Sequence, residues 1–309
     1  MIENVLVPLD GSELAERALP YARVLAKNRA IRLYLIRAVV PGDLLDTGPV
    51  PDEPKLRADA EAYLEGLTSG RLGNASVRAS VYYGEAAETI LAEMRARKID
   101  LLLMSTHGRS GLGRWIYGSV ADQVLRNATV PVLLVPSACN RTWPDDRPIR
   151  IAVPLDGSDL AAEVLTPARD LAKALDGEIH LIRAVEQPSY AYVGRSPNAV
   201  DLPVAVPVPM GGASQAEAEN YLGRIAAELR AMGQYAESHV IGGGAVSGII
   251  DLSRDIGADV IAMATHGRGG VVRMLMGSVA TTVLQQSSIP IMLVRPAVVR
   301  QQKMAAETG

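Results

Sequence analysis

Two glycine-containing segments of the chain have the composition of a phosphate-binding loop. The first begins at Ser105, contains Gly108 and Arg109, and ends with Gly118 and Ser119. Glycine lets backbone N–H groups approach a ligand closely, and a helix that starts at Ser119 would direct its free N–H groups and its dipole at an anion. The serine hydroxyl can instead cap that helix. The segment therefore indicates either a phosphate site or a simple turn with a cap.

The same arrangement occurs a second time, after Ala264. Gly267, Arg268, Gly277 and Ser278 repeat the glycines, the basic residue and the hydroxyl at the same spacing. Charge-assisted hydrogen bonds contribute roughly 1.5–3 kcal/mol each, so two or three of them account for a nucleotide bound at about micromolar Kd. Common descent of two copies explains some of this agreement without any function, and the repeat alone leaves both interpretations open.

Few other residues could act on a bound nucleotide. Asp10 and Asp156 each follow an apolar run and could hold Mg²⁺ if their carboxylates faced a phosphate. No Gly-Lys-Ser/Thr follows a glycine loop, and the Gly-x-Ser-x-Gly and His-Glu-x-x-His motifs do not occur. His107 and His266 precede the glycines and are more simply interpreted as holding the loop backbone. We therefore predict no catalytic residue, no metal-ligand set and at most a slow ATPase.

Composition narrows the range of partners. The 309 residues are 48% hydrophobic and 21% charged, with a formal net charge of −3, which argues against a nucleic-acid partner. The single cysteine, Cys139, excludes an intrachain disulfide and a cysteine-rich metal site. No apolar run reaches the roughly 18 residues of a membrane span, and the first residues do not have a signal-peptide pattern. We expect a cytoplasmic protein that contacts neither nucleic acid nor membrane.

The chain is a tandem repeat. Val-Pro-Leu-Asp-Gly-Ser at 7–12 recurs at 153–158, and a segment with three prolines separates the copies, which is typical of a domain boundary. We predict domains at residues 1–137 and 149–297. The second copy carries an insertion at 187–213 that would be a lid, a contact between chains or a mobile loop.

Each copy alternates short apolar runs with amphipathic stretches. In the first copy we predict strands at 5–9, 33–40, 76–82, 99–105 and 130–135, and helices after Ser12 and at 55–67, 85–97 and 119–126. Strands that alternate with helices predict an α/β fold, a parallel sheet with helices on both faces. Ligands of such sheets bind beyond the carboxyl ends of the strands, where Asp10, Val39 and the loop after Ser105 lie.

These motifs resemble those of universal stress proteins in their two-domain form. The resemblance rests on the paired Val-Pro-Leu-Asp-Gly-Ser, Thr-His-Gly-Arg and Gly-Ser-Val-Ala segments, and it covers nearly the whole chain. It implies two doubly wound five-stranded parallel sheets of strand order 3-2-1-4-5. It also implies that the final strands pair between domains, so that the tandem repeat forms an intrachain pseudo-dimer.

The resemblance implies ATP, with or without Mg²⁺, as the ligand. The adenine contacts would be Pro8, Asp10 and Val39, then Pro154, Asp156 and Val185. The ribose and phosphate contacts would be Gly108, Gly118 and Ser119, then Gly267, Gly277 and Ser278. Arg109 and Arg268 follow the glycines and would supply positive charge nearby. Ser105 and Ala264 stand where the family pattern has its first glycine, and a side chain there could crowd the ribose.

Three functions fit these observations. The first is an ATP-binding regulatory module of the stress response without efficient turnover. The second is a nucleotide-free dimerisation or interaction protein, and the third is a weak ATP hydrolase. In each case the apolar final strands at 130–135 and 289–294 favour self-association, including a homo-oligomer, unless Pro131 and Pro290 simply blunt these edges.

Overall fold

The structure is a computed structural model, and it describes residues 1–40, 53–70, 72, 76–106, 118–185, 189–193, 204–208, 213–267 and 276–297. The first copy contains β1 (Asn4–Pro8), α1 (Glu13–Glu16), α2 (Leu19–Ala26), β2 (Arg32–Val39), α3 (Glu53–Gly70), β3 (Val77–Tyr83), α4 (Ala86–Ala96), β4 (Leu101–Ser105), α5 (Ser119–Asn127) and β5 (Val132–Val135). The second contains β6 (Arg150–Pro154), α6 (Asp159–Ala162), α7 (Leu165–Leu175), β7 (Glu178–Val185), β8 (Ser189–Val193), β9 (Val204–Val208), α8 (Gln215–Ala231), β10 (Ala236–Gly242), α9 (Ala245–Asp255), β11 (Val260–Ala264), α10 (Ser278–Gln286) and β12 (Ile291–Val294). Among the described helices, none is long and apolar enough to cross a membrane.

One ten-stranded sheet runs through both copies. Its order is β10-β7-β6-β11-β12-β5-β4-β1-β2-β3, so each half has the order 3-2-1-4-5. All pairs within a half are parallel, and the two halves join where β12 pairs antiparallel with β5. This confirms the predicted α/β fold of two doubly wound five-stranded sheets that form an intrachain pseudo-dimer.

The prolines before the final strands do not prevent this pairing. Ile291 lies opposite Leu134 across the junction. The carbonyls of Pro131 and Pro290 accept hydrogen bonds of 3.0 Å from the neighbouring strands β4 and β11. Proline has no N–H group to donate, and a position just before a strand does not need one. The interpretation that these prolines merely prevent the final strands from pairing is therefore wrong for the junction within the chain.

The core consists of two aliphatic layers, one on each face of the sheet. Both layers continue across the junction, since Leu133 and Met292 belong to one and Leu134 and Ile291 to the other. Strands that are buried on both faces read as continuous apolar runs, which is why the strands could be located in a chain without phenylalanine.

The segment between the copies is anchored to both of them. Trp143 is 3% exposed, and its ring packs edge-to-face on Tyr21 of the first copy at 5.0 Å. Its indole N–H donates to the carbonyl of Asp259 in the second copy at 3.2 Å. The Tyr21 hydroxyl also lies 3.1 Å from the buried Cys139 thiol. The linker therefore contributes to the core of the pseudo-dimer.

The single helix predicted after Ser12 is two helices in the structure. The chain forms α1 and then α2, which begins at Leu19 with Pro20 in its first turn. Proline lacks an N–H group, and the first turn of a helix does not use one. The second copy repeats the break between α6 and α7, with Pro167 near the start of α7.

The insertion in the second copy contains a small separate sheet. β8 pairs antiparallel with β9, and these two strands are not part of the ten-stranded sheet. Residues 194–203 and 209–212 lie outside the described part of the chain. The role of the insertion as a lid or as a contact between chains stays a prediction.

Candidate functional site

A cavity of about 430 Å³ opens at the carboxyl ends of the strands of the second copy. Its walls come from the ends of β6, β7 and β11 and from the first residues of α9 and α10. The volume is in the usual range for small-molecule sites. The position is the one that open parallel sheets use for ligands.

Most of the residues predicted for the second copy meet at this cavity. The lining includes Pro154, Asp156, Ala264, Gly267, Gly277 and Ser278. Val185 lies outside the lining, at the end of β7, where its carbonyl accepts the Gly243 N–H at 3.0 Å. Arg268 lies outside the described residues.

The first copy holds its predicted residues at the equivalent strand ends. Pro8 ends β1, Val39 ends β2, Ser105 ends β4, Asp10 follows β1, and Gly118 and Ser119 begin α5. The Val39 carbonyl accepts the Gly84 N–H at 3.1 Å, as its counterpart does in the second copy. Gly108 and Arg109 lie outside the described residues.

The Asp-Gly-Ser turn fixes the carboxylate at the cavity wall. Asp156 Oδ1 accepts hydrogen bonds from the Ser158 N–H at 2.9 Å and from the Ser158 hydroxyl at 2.6 Å. The same hydroxyl oxygen caps α6 by accepting the Ala161 N–H at 3.2 Å. Gly157 has φ of +87°, a conformation that favours glycine. Asp10 accepts the corresponding backbone bond at 2.9 Å, so both copies orient this aspartate in the same way.

An arginine lies beside each turn, buried in the second copy (Arg183) and half-buried in the first (Arg37), and sequence reasoning missed its role. The Arg183 guanidinium lies 4.8 Å from the centre of the Tyr221 ring, and Arg37 lies 5.0 Å from that of Tyr63. Burial raises the pKa of the Tyr221 phenol, so the ring meets the cation as a neutral aromatic group. A Cβ atom on Gly157 would lie 2.7 Å from Arg183 Nη2. The repeat of the arginine was visible in the sequence, but its aromatic partner on a distant helix was not.

The backbone at Gly267 lies directly against the Asp156 carboxylate. A Cβ atom at Gly267 would approach Asp156 Oδ2 to 2.2 Å, a separation that no side chain can adopt. The Ala264 side chain is 8% exposed and forms part of the wall. The cavity volume of about 430 Å³ already includes the effect of the Ala264 methyl group, which stands where the family pattern has a glycine.

The start of α10 is an uncapped helix terminus at the cavity. Gly277 occupies the cap position, no side chain in the described part of the chain caps the helix, and the exposed Ser278 is its first residue. The Gly277 N–H donates to the Thr265 carbonyl at 2.7 Å, which brings the two ends of the intervening loop together. The first copy repeats this geometry, with Gly118 at the cap position of α5. Because glycine occupies the cap position in both copies, the interpretation of the serines as helix caps is wrong.

His266 belongs to the wall of the cavity. It is 5% exposed, and its Nδ1 atom lies 3.0 Å from the Thr265 hydroxyl. This contact joins two side chains, so the expectation that the histidine holds the loop backbone stays a prediction. His107 lies outside the described residues.

The fold and the cavity define the class of protein, a tandem doubly wound α/β protein with a cleft at the carboxyl ends of its strands. The model of the Universal stress protein family matches residues 1–136 and 149–295. The chain therefore belongs to the universal stress protein family, which confirms the resemblance seen in the sequence.

Individual relatives agree with this assignment. The universal stress protein Rv2005c of Mycobacterium tuberculosis is 25% identical over 94% of this chain and 97% of its own length. A universal stress protein of Thermus aquaticus is 30% identical over 44% of this chain and 99% of its own. Among solved structures, a universal stress protein from Archaeoglobus fulgidus has a TM-score of 0.68 at 20% identity and covers 95% of this chain and 98% of its own. A functionally unknown protein from Pseudomonas aeruginosa has a TM-score of 0.64 at 19% identity, with 99% and 98% covered. At these identities the solved structures establish the fold.

Proposed function

We propose that this protein is a regulatory module of the stress response that binds an adenine nucleotide, ATP, in the cavity of the second copy. The observation that carries the proposal is the convergence of Asp156, Gly267, Gly277 and Ser278 on one cavity at the carboxyl ends of the strands. These residues come from three separate parts of the chain, and each has a counterpart in the first copy, at Asp10, Gly108, Gly118 and Ser119.

The two ends of the cavity suit the two ends of a nucleotide. Ile182, Ala184 and Met263 supply apolar wall, which favours a planar base, and the Asp156 carboxylate can accept a hydrogen bond from an adenine amino group. At the other end, the open N-terminus of α10 offers backbone N–H groups and its positive dipole end to a phosphate. The exposed Ser278 hydroxyl can add a further bond.

The composition of the lining supports binding without efficient turnover. Among the described lining residues, the ionisable groups are Asp156 and His266. Asp156 already accepts two hydrogen bonds from Ser158, and efficient hydrolysis usually requires a positioned base or a metal clamp. We therefore propose at most slow hydrolysis. With Asp156 on the side of the base, a Mg²⁺ ion that accompanies ATP would be held by the phosphates themselves.

Association between chains is a separate matter from the pairing inside the chain. β5 and β12 already pair with each other inside the ten-stranded sheet, whose outer strands are β3 and β10. We propose that the final strands serve association only within the chain, between domains at residues 1–137 and 149–297. A contact between two chains would then use another surface.

The proposal is tested by measuring nucleotide directly. The purified chain is denatured and the supernatant analysed for released adenine nucleotide, and the emptied protein is then titrated with ATP in a calorimeter, with and without Mg²⁺. Saturable binding is expected. An empty protein that gives no heat at millimolar ATP favours the nucleotide-free interaction protein. Turnover above about 1 per second, a modest enzymatic rate, favours the hydrolase.

A further inference from the structure

Two histidines and a glutamate form a compact cluster on the last two strands at one edge of the sheet. His180 lies on β7, and Glu237 and His239 lie on the edge strand β10. His180 Nδ1 is 3.2 Å from His239 Nε2. Glu237 Oε2 is 3.5 Å from the first of these nitrogens and 3.7 Å from the second. The cluster shares no residue with the lining of the nucleotide cavity.

These three separations match those between the ligands of a metal ion. The point in the plane of these three atoms that is equidistant from them lies about 2.0 Å from each, and a tetrahedral position just outside the plane lies about 2.1 Å from each. Zn²⁺ binds histidine nitrogen at about 2.0–2.1 Å and carboxylate oxygen at about 2.0–2.2 Å. We propose that His180, Glu237 and His239 bind one Zn²⁺ ion through Nδ1, Oε2 and Nε2 respectively. A water molecule would complete the tetrahedron.

The surroundings of the cluster orient its ligands. The Tyr235 hydroxyl donates to Glu237 Oε1 at 2.6 Å, which leaves Oε2 for the ion. His180 Nε2 is buried and has no hydrogen-bond partner among the described residues, and Glu178 Oε2 lies 3.7 Å from it. Ligand histidines commonly donate the second ring N–H to a carboxylate. A small movement of Glu178 would complete that arrangement and would satisfy the buried nitrogen.

A plain hydrogen bond between two neutral histidines would explain the 3.2 Å contact without any ion. The experiment below separates these two interpretations.

The first copy shows which substitutions the sheet accepts at these positions. In the parallel ladders of the two copies, Tyr34 takes the place of His180, Arg78 that of Glu237 and Ser80 that of His239. The Tyr34 ring lies 4.9 Å below the Arg97 guanidinium. This set cannot hold a cation, so the proposed site is specific to the second copy. His180→Tyr and His239→Ser each install a residue that the same fold already accommodates.

The experiment uses the untagged full chain after removal of metal with a chelator. Zn²⁺ is titrated against a competing chromogenic indicator, and Co²⁺ is then added in its place to record the absorption of a four-coordinate site. One ion per chain is expected. His239→Ser and His180→Tyr should each weaken Zn²⁺ binding by at least about 100-fold, and Glu178→Gln by about tenfold, as is usual for groups outside the ligand shell. His107→Gln, which removes a histidine from the other copy, should leave the affinity unchanged.

Three results would overturn the proposal. They are the absence of saturable binding, a stoichiometry well below one, and equal affinities for the original chain, His239→Ser and His180→Tyr, which would indicate an adventitious ion only. Circular dichroism and urea titration establish that each variant is folded. His239 has a side chain that is 24% exposed, so His239→Ser keeps the test decisive if the buried His180→Tyr variant fails to fold. The ATP titration is independent of this outcome.

Discussion

Gly267→Ala is the most specific perturbation of the proposed nucleotide site. The new Cβ atom would lie 2.2 Å from Asp156 Oδ2 and 3.1 Å from the carboxyl carbon. Ordinary separations between carbon and oxygen begin at about 3.3 Å, so the carboxylate has to retreat by about 1 Å. Gly267 does not have a φ in the left-handed region, so the alanine backbone itself is not strained and the effect is confined to this contact.

The expected loss of affinity follows from the role proposed for Asp156. A hydrogen bond to a charged group contributes about 1.5–3 kcal/mol, and displacement of the carboxylate by about 1 Å removes it. ATP binding should therefore weaken by about 10- to 150-fold. The bonds from Ser158 hold the other carboxylate oxygen, so the turn cannot simply rotate to relieve the contact.

A double-mutant cycle measures this prediction by calorimetry. Asp156→Ala should weaken ATP binding by a similar factor, and Gly267→Ala added to that variant should cost little, because no carboxylate is left to displace. Wild-type affinity in Gly267→Ala would refute the reasoning. So would fully additive losses, since they would mean that the alanine acts on something other than Asp156.

Three further changes follow from single contacts. Gly118→Val with Gly277→Val should weaken ATP binding more than about tenfold, or roughly 1.4 kcal/mol. A Cβ atom at Gly277 would lie 3.4 Å from the Thr265 carbonyl oxygen, and circular dichroism checks that the double variant is folded. Unchanged affinity in calorimetry would remove the helix starts from the account. Gly157→Ala should lower the free energy of unfolding by about 1–3 kcal/mol in urea titrations, because the φ of Gly157 is +87°. The control is Gly223→Ala on α8, where the new Cβ atom meets nothing within 4 Å; this variant should be as stable as the original chain. Trp143→Ala should lower the free energy of unfolding by about 3–5 kcal/mol, because the tryptophan is only 3% exposed. A decrease below about 1 kcal/mol in urea titrations would mean that the linker does not join the copies.

The parts of the fold that depend on local pattern were predictable from the sequence. The fourth strand was expected at 99–105 and spans Leu101–Ser105, and the helix expected at 119–126 spans Ser119–Asn127. Apolar runs mark strands that are buried on both faces, and a serine or glycine marks where a helix begins. The helix after Ser12 differed because proline in a first turn starts a new helix instead of bending the old one.

The contacts that depend on tertiary structure were not predictable in this way. Arg183 and Tyr221 meet across a strand and a helix, and His180 and Glu237 meet only because β7 and β10 pair in one register. Neither pair has a characteristic spacing along the chain. The strand-end rule located Asp156 correctly because it concerns topology, but it could not reveal that Gly267 lies in contact with the Asp156 carboxylate.

The most direct measurement of the central claim is a crystal structure of the full chain grown or soaked with ATP. The account predicts nucleotide density in the second copy, with the phosphates beside the backbone of Gly277 and Ser278 and the base on the side of Asp156. An open cavity with no nucleotide in it, or a nucleotide bound away from the start of α10, would contradict the account.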